Sequence, residues 1–381
     1  MRGWDLVRIA LLSDCYLPRL GGIEVQVHDL AHHLRDAGHE VEVLTATVGP
    51  HGEARGARQN EDGVVVHRHA FALPVGPALT VPVNPFAVGA VREVLAQGRF
   101  DVAHAHMGVV SPFAVDATRL ALDLGLPTAV TWHCVVDGSA PVHRLLGYAA
   151  RWAHSGAALS AVSGMAAARV AAIAAGARVD VLPNGIDLDR WQRPQGSPAP
   201  AEVVRIVGAQ RMAPRKRPWA LLDVLRTARE CTPPQIRLQA VIVGDGPVRG
   251  LLQRRIASEG LDWIALPGRV TRDELRDLHW SSDLYLSAAR LEAFGIAAPE
   301  ARTAGLPVVA LRGTGADDFV EHEVSGLLAA DDAELGVQVA RLAADPVLRE
   351  QLTDHNRRMP PPMDWSTVVD QTLAQYTRAG A

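Results

Sequence analysis

Lysine is all but missing from this chain of 381 residues: of the 38 residues that are lysine or arginine, only Lys216 is lysine. Arginine enrichment can follow from composition alone, so the informative fact is the one position that keeps a compact ammonium in place of a planar guanidinium. Cysteine is also scarce. Cys15, Cys134 and Cys231 are odd in number and far apart, which fits neither a disulfide framework nor a zinc-ligand spacing and points to a reducing, cytoplasmic setting. Charge of one sign is not in excess. With 42 acidic residues against 38 basic ones, the net charge of −4 leaves no global positive field to hold nucleic acid or an anionic membrane. At 48% hydrophobic and 21% charged residues, the composition of a disordered chain is excluded.

Uninterrupted apolar runs are missing too. The uncharged stretch from Ala70 to Val91 carries Pro74, Pro77, Pro82 and Pro85, which would break a membrane-spanning helix repeatedly, so it reads as a loop. The start, MRGWDLVRIALLSD, is interrupted by Asp5 and Arg8 and has no small-residue cleavage site, so it reads as a first strand and not as a secretory signal. A P-loop is absent, and Gly244, Gly246 and Gly250 miss the G-x-G-x-x-G spacing by one residue, which leaves a dinucleotide oxidoreductase little support.

What is present is an alternation. At roughly 150 residues per domain the length suggests two domains. Val7 to Leu12 is an apolar run of the kind buried on both faces of a parallel sheet. A Gly-Gly turn and an amphipathic helix, Ile23, Val27, Leu30 and Leu34, follow it. Strand-like runs recur at Val41 to Thr45, Val64 to Val66, Val102 to His106, Ala129 to Trp132, Ala158 to Val162 and Val179 to Leu182, with helical patterns between most of them. The segment from Asp187 to Glu202 is proline-rich and aperiodic, after which strands are predicted at Val203 to Val207, Leu238 to Val243, Leu284 to Ser287 and Pro307 to Leu311. A last helix, Ser366 to Tyr376, has no strand partner. The predicted organisation is an α/β domain over 1–188, a linker over 189–202, a second α/β domain over 203–360, and a tail over 361–381 packing back towards the first domain.

Ligands of such sheets bind at the carboxyl ends of strands, where glycine turns permit close approach and helix starts attract anions. Several motifs fall there. Gly21-Gly22 joins the first strand to the first helix. VIVGDGP puts Gly244 after a strand. Arg211 and Lys216 lie in GAQRMAPRKRP after another strand, where two cations could clamp a diphosphate or simply face solvent. In LEAFGIAAPE a turn formed by Glu292, Ala293, Phe294, Gly295 and Ile296 leads into a helix that bears Glu300. Two acids beside an anion site make sense where they accept hydrogen bonds from sugar hydroxyls, as a nucleotide sugar would offer.

Taken in order, GGIE at 21–24, TWH at 131–133, VLPNGID at 181–187, Arg211 with Lys216, VIVGDGP at 241–247 and the E-x7-E pair resemble the retaining glycosyltransferases of family 4. The match covers nearly the whole chain. The resemblance implies the GT-B fold, two Rossmann-like domains whose parallel sheets face a central cleft, with the acceptor on the N-terminal domain and a nucleoside diphosphate sugar on the C-terminal one. Carried over by position, it implies that Arg211 and Lys216 bind the diphosphate, Glu292 the sugar and Glu300 the ribose. Gly21 and Gly22 would approach the donor phosphates, Gly244 and the 293–296 turn would line the donor site, and His133 would sit beside the sugar. No metal and no cofactor are expected, since the donor is itself a substrate, and the acceptor is expected to be a small molecule or a lipid.

Other constellations read more plainly. His104 and His106 share a strand face, as burial or acceptor contact would have it. His28 and His32 have the helical spacing of a zinc pair without a third ligand. Asp187 and Asp189 spell the D-x-D of metal-dependent transferases of another fold, but sit at the junction as turn chemistry. VHRLLGYAARWAH at 142–154 reads as one amphipathic helix beside the cleft, with Tyr148 and Trp152 as candidate membrane contacts. A sugar epimerase, a phosphorylase or a noncatalytic nucleotide-sugar-binding subunit on the same fold remain as alternatives.

Overall fold

The computed structural model describes residues 6–19, 21–70, 87–194 and 203–381. Two compact units emerge: Met1–Gly185 with Trp365–Ala381, and Ile186–Asp364. The expected prolines at 74, 77, 82 and 85 and most of the junction, 195–202, lie outside the described residues, as do residues 1–5.

The first unit is an eight-stranded sheet, β1 (Arg8–Ser13), β2 (Glu40–Thr45), β3 (Ala57–Glu61), β4 (Val64–Arg68), β5 (Val102–Met107), β6 (Thr128–Trp132), β7 (Ala158–Ala161) and β8 (Val179–Val181), ordered β3-β4-β2-β1-β5-β6-β7-β8. All neighbours are parallel except the β3–β4 hairpin. β1 is buried because Ile9, Ala10, Leu11 and Leu12 are apolar without interruption. The helix Gly22–Asp36 lays Val27, Leu30, Ala31 and Leu34 into the same core. The C-terminal helix Trp365–Ala379 belongs to this unit and adds Trp365, Val368, Val369, Leu373 and Tyr376.

The second unit holds β9 (Val203–Ala209), β10 (Arg237–Val243), β11 (Ile264–Gly268), β12 (Leu284–Ser287), β13 (Val308–Leu311) and β14 (Gly326–Ala329), all parallel in the order β11-β10-β9-β12-β13-β14. In each sheet the chain order reverses beside the first strand, between β1 and β5 and between β9 and β12. That is the crevice where open α/β sheets receive ligands.

Some expectations are corrected. The stretch 142–154 is two helices, Ala140–Leu146 and Tyr148–His154, because Gly147 between them takes a left-handed φ of 61°. Tyr148 and Trp152 point inward and are buried, while Val142, Leu145 and Leu146 are exposed. The loop expected up to Val91 has already become a helix, Ala87–Gln97. The junction opens with a short helix, Leu188–Trp191, whose start is capped by Asp187 accepting from the Arg190 amide at 3.0 Å.

Candidate active site

In the second unit, backbone contact builds the loop after β9. The Gln210 amide donates to the Val243 carbonyl at 3.0 Å and the Met212 amide to Asp245 at 2.9 Å. Gly244 and Gly246 make this possible: both have left-handed φ values, 128° and 158°, and a Cβ on either would collide with the carbonyl oxygen of Gln210 or Met212. The GDG turn therefore supports the loop that carries Arg211. Arg211 is exposed, and among the described residues its side chain has no hydrogen bond or ion pair. Lys216 closes a single 3-10 turn, and its Nζ lies 2.6 Å from Glu292 Oε2. Arg217 braces this loop from behind by donating to the Ala288 carbonyl at 3.0 Å and pairing with Asp332.

Glu292 sits in the turn after β12, the strand next to β9. Gly295 has φ 72°, and a Cβ there would come within 2.9 Å of Glu292 Cγ, so glycine is what lets the carboxylate fold over the turn. The Gly315 amide donates to the Glu292 carbonyl at 2.9 Å. Ala293 and Phe294 are buried, the latter with its ring 6.0 Å from that of Phe319. Ile296 opens the helix Ala297–Thr303. Glu300 lies one turn into it, is only 5% exposed, and has Oε1 3.7 Å from Arg272. Lys216 and Glu292 are thus brought together, while Glu300 is tied to a separate arm. Sequence reasoning missed Arg272, Arg217 and Asp332; no spacing rule links them to the motifs.

In the first unit, Gly21 precedes the helix Gly22–Asp36, and a Cβ on it would strike the Glu24 carboxylate, which pairs with Arg19 at 3.0 Å. Asp14, at the carboxyl end of β1, accepts from the Phe113 and Ala114 amides, each at 3.0 Å, and burial pushes its carboxyl up to about 6. His133 follows β6. Its Nδ1 lies 3.1 Å from Asn184 Oδ1 and its Nε2 lies 2.9 Å from His106 Nδ1. His104 is held by Thr131 Oγ1 at 2.7 Å and the Tyr376 hydroxyl at 3.1 Å. Burial pushes His133 down to about 4, His104 to about 3 and His106 well below its ordinary value, so all three imidazoles are neutral at pH 7. Asn184, from the VLPNGID motif, was a participant the sequence reading did not single out. The rings of His28 and His32 lie 4.2 Å apart and tilted by 34°, but their Nδ1 atoms engage Asp29 and the His28 carbonyl.

A family model described as Glycosyltransferase Family 4 matches residues 20–190, and one described as Glycosyl transferases group 1 matches residues 189–359. The chain is similar to a GDP-mannose-dependent alpha-mannosyltransferase of Mycolicibacterium smegmatis, 30% identical over 97% of both chains. It is similar to one of Mycobacterium tuberculosis at 28% identity, over 97% of this chain and 96% of that one. Among solved structures, Anabaena HepE with UDP and glucose superposes with a TM-score of 0.73 at 21% identity, over 97% of this chain and 99% of that one. Its fold is the GT-B fold expected from the motifs.

Proposed function

Because the chain belongs to Glycosyltransferase Family 4, we propose that it moves a hexosyl group from a GDP- or UDP-sugar to an acceptor hydroxyl with retention at the anomeric carbon, and that it needs no metal. The observation that carries this reading is the meeting of Lys216 and Glu292 where the second sheet reverses its strand order. A diphosphate arriving there exchanges for the Glu292 carboxylate on Lys216, with the unpaired Arg211 as a second cation. Glu292, released, accepts from a sugar hydroxyl, and Glu300 accepts from the ribose. The bond between the anomeric carbon and the phosphate oxygen breaks, the bond to the acceptor oxygen forms on the same face, and the acceptor proton passes to the departing phosphate. Negative charge grows on the leaving diphosphate, so fixed cations stabilise the transition state more than the ground state. Neither glutamate forms a covalent bond to sugar.

The names of the similar mannosyltransferases make GDP-mannose the first donor to test. The acceptor is a small molecule or a lipid, and the site of action is cytoplasmic. A peripheral membrane contact is favoured by the exposed face Val142, Leu145 and Leu146, with Arg144 exposed beside it. Incubation with GDP-mannose and UDP-sugars, with and without candidate acceptors and with all divalent metal chelated, tests the proposal. Acceptor-dependent release of nucleoside diphosphate and an unchanged anomeric configuration in the product support it. Conversion of the donor sugar to its epimer without any acceptor contradicts it.

A further inference from the structure

We infer that Asn184 and His106 are positioning residues that lock His133 in a single tautomer with both ring nitrogens occupied, so that His133 serves the transfer as a fixed wall and exchanges no proton. This rests on the glycosyltransferase reading, with His133 at the sugar. The proton order follows from the partners. An amide oxygen only accepts, so the contact of His133 Nδ1 with Asn184 Oδ1 at 3.1 Å puts the proton on Nδ1. A neutral imidazole then has a lone pair at Nε2, and His106 Nδ1–H, 2.9 Å away, donates to it. His106 Nε2 is left as a bare lone pair. It is buried, the residue being 3% exposed, and it has no partner.

Turning the Asn184 amide over would reverse every step and strand an N–H at that buried end. The structure turns Asn184 Oδ1 towards His133, which gives the first order. The cavity against His106 measures about 20 Å³ and is walled by Gln26, Trp365 and Thr372. That admits about one water and no larger ligand. Of Asn184, His133 and His106, only His133 is partly exposed, so it is the member of this hydrogen-bonded series that substrate can meet.

The lock is electrically quiet. The titratable groups facing His133 and His106 are His104 on β5 and, beyond it, Tyr376 on the C-terminal helix, while the helix Gly22–Asp36 contributes Gln26, which carries no charge. His104 has both nitrogens engaged by Thr131 and Tyr376 and does not compete for His133, although its ring centroid is 4.2 Å from that of His106.

Nitrogen-15 NMR of the histidine side chains in the full chain, recorded without substrate from pH 5.5 to 8, reads the lock directly. His133 should show a protonated Nδ1 and a lone-pair Nε2 throughout, and Asn184→Asp should bring a His133 titration into that range. A protonated Nε2, or a His133 titration in the unaltered chain, overturns the proposal. Kinetics read the role. His106→Leu removes the donor, whereas His106→Asn places an amide N–H near the former Nδ1. The leucine variant should lose on the order of tenfold in kcat with GDP affinity unchanged, and the asparagine variant should recover most of it. Equal turnover in the unaltered, leucine and asparagine forms overturns the role even if the lock is seen. Should the leucine variant not fold, the Asn184→Asp spectra and the pH profile of kcat/KM decide: a new ionisation between pH 5 and 8 in both supports the proposal, and none overturns it. A chain that turns over no nucleotide sugar removes the functional reading, and with it the role, while the spectra still report the tautomer.

Discussion

Lys216 Nζ and Glu292 Oε2, from residues 76 positions apart, meet at 2.6 Å because β9 and β12 are neighbours and each delivers its loop at the same end of the sheet. Both side chains are partly exposed, so the ion pair adds little to stability. Its importance is placement: a cation for phosphate and an anion for hydroxyl are stored against each other until a donor separates them.

Lys216→Ala and Arg211→Ala should each lose most of the turnover. Removing one charge-assisted contact to a leaving group costs on the order of 2–4 kcal/mol in the transition state. Steady-state rates at saturating donor check this, and near-normal rates in both variants would remove the diphosphate assignment. Lys216→Arg should also be impaired, because a planar fork cannot take the position of a point charge at 2.6 Å from Glu292.

The two glutamates should divide their work. Glu300→Ala is expected to weaken binding of the bare nucleoside diphosphate, and Arg272→Ala to do so to a smaller degree through its contact with Glu300. Glu292→Ala should spare that binding and slow sugar transfer. Calorimetry with GDP decides between this and a shared role, in which both glutamate variants would weaken alike.

Gly244→Ala should disturb the protein through its backbone. The added Cβ meets the Gln210 carbonyl at a left-handed φ of 128°, so the loop bearing Arg211 must shift. A loss on the order of a few kcal/mol in urea unfolding is expected, together with weaker GDP binding. Unchanged stability and affinity would show that the loop adapts freely.

Stability should fall as pH drops below 6.5. His279 is fully buried between Trp191 and Tyr285 with neither nitrogen bonded, and burial holds it at about 3. The unfolded imidazole takes a proton near 6.5 while the folded one refuses it until about 3, so the stability present above pH 6.5 is lost progressively below it. His69 and His133, at about 4, and His104, at about 3, act in the same direction. Asp14 acts against them: its folded value of about 6 exceeds the unfolded 3.8, so it contributes stability as pH falls between those values. His279→Phe should reduce the slope by one proton, about 1.4 kcal/mol per pH unit. Urea titrations at pH 7, 6 and 5 measure it, and an unaltered slope would contradict the assignment.

The sequence showed most of what is local. The apolar run of β1 and the strand-then-glycine pattern at Gly244 both survive in the structure because burial and turn chemistry act over a few residues. β3 was not seen, since ARQNE lacks an apolar face and pairs at a sheet edge, although the Asp62-Gly63 turn was a readable hairpin signal. The break at Gly147 was hidden because a glycine inside a helical pattern is usually tolerated. The contacts His133–His106, Glu300–Arg272 and Lys216–Glu292 join distant segments. Only the strand order makes them neighbours, and no periodicity encodes it.

That the second unit binds a nucleoside diphosphate through Arg211 and Lys216 without metal is tested most directly by calorimetry of GDP and UDP in the presence of EDTA. The unaltered chain should bind one of them, and the Arg211→Ala/Lys216→Ala double variant should lose on the order of a hundredfold or more in affinity at unchanged thermal stability. Binding that appears only on adding magnesium or manganese, or that the double variant retains in full, would contradict the assignment.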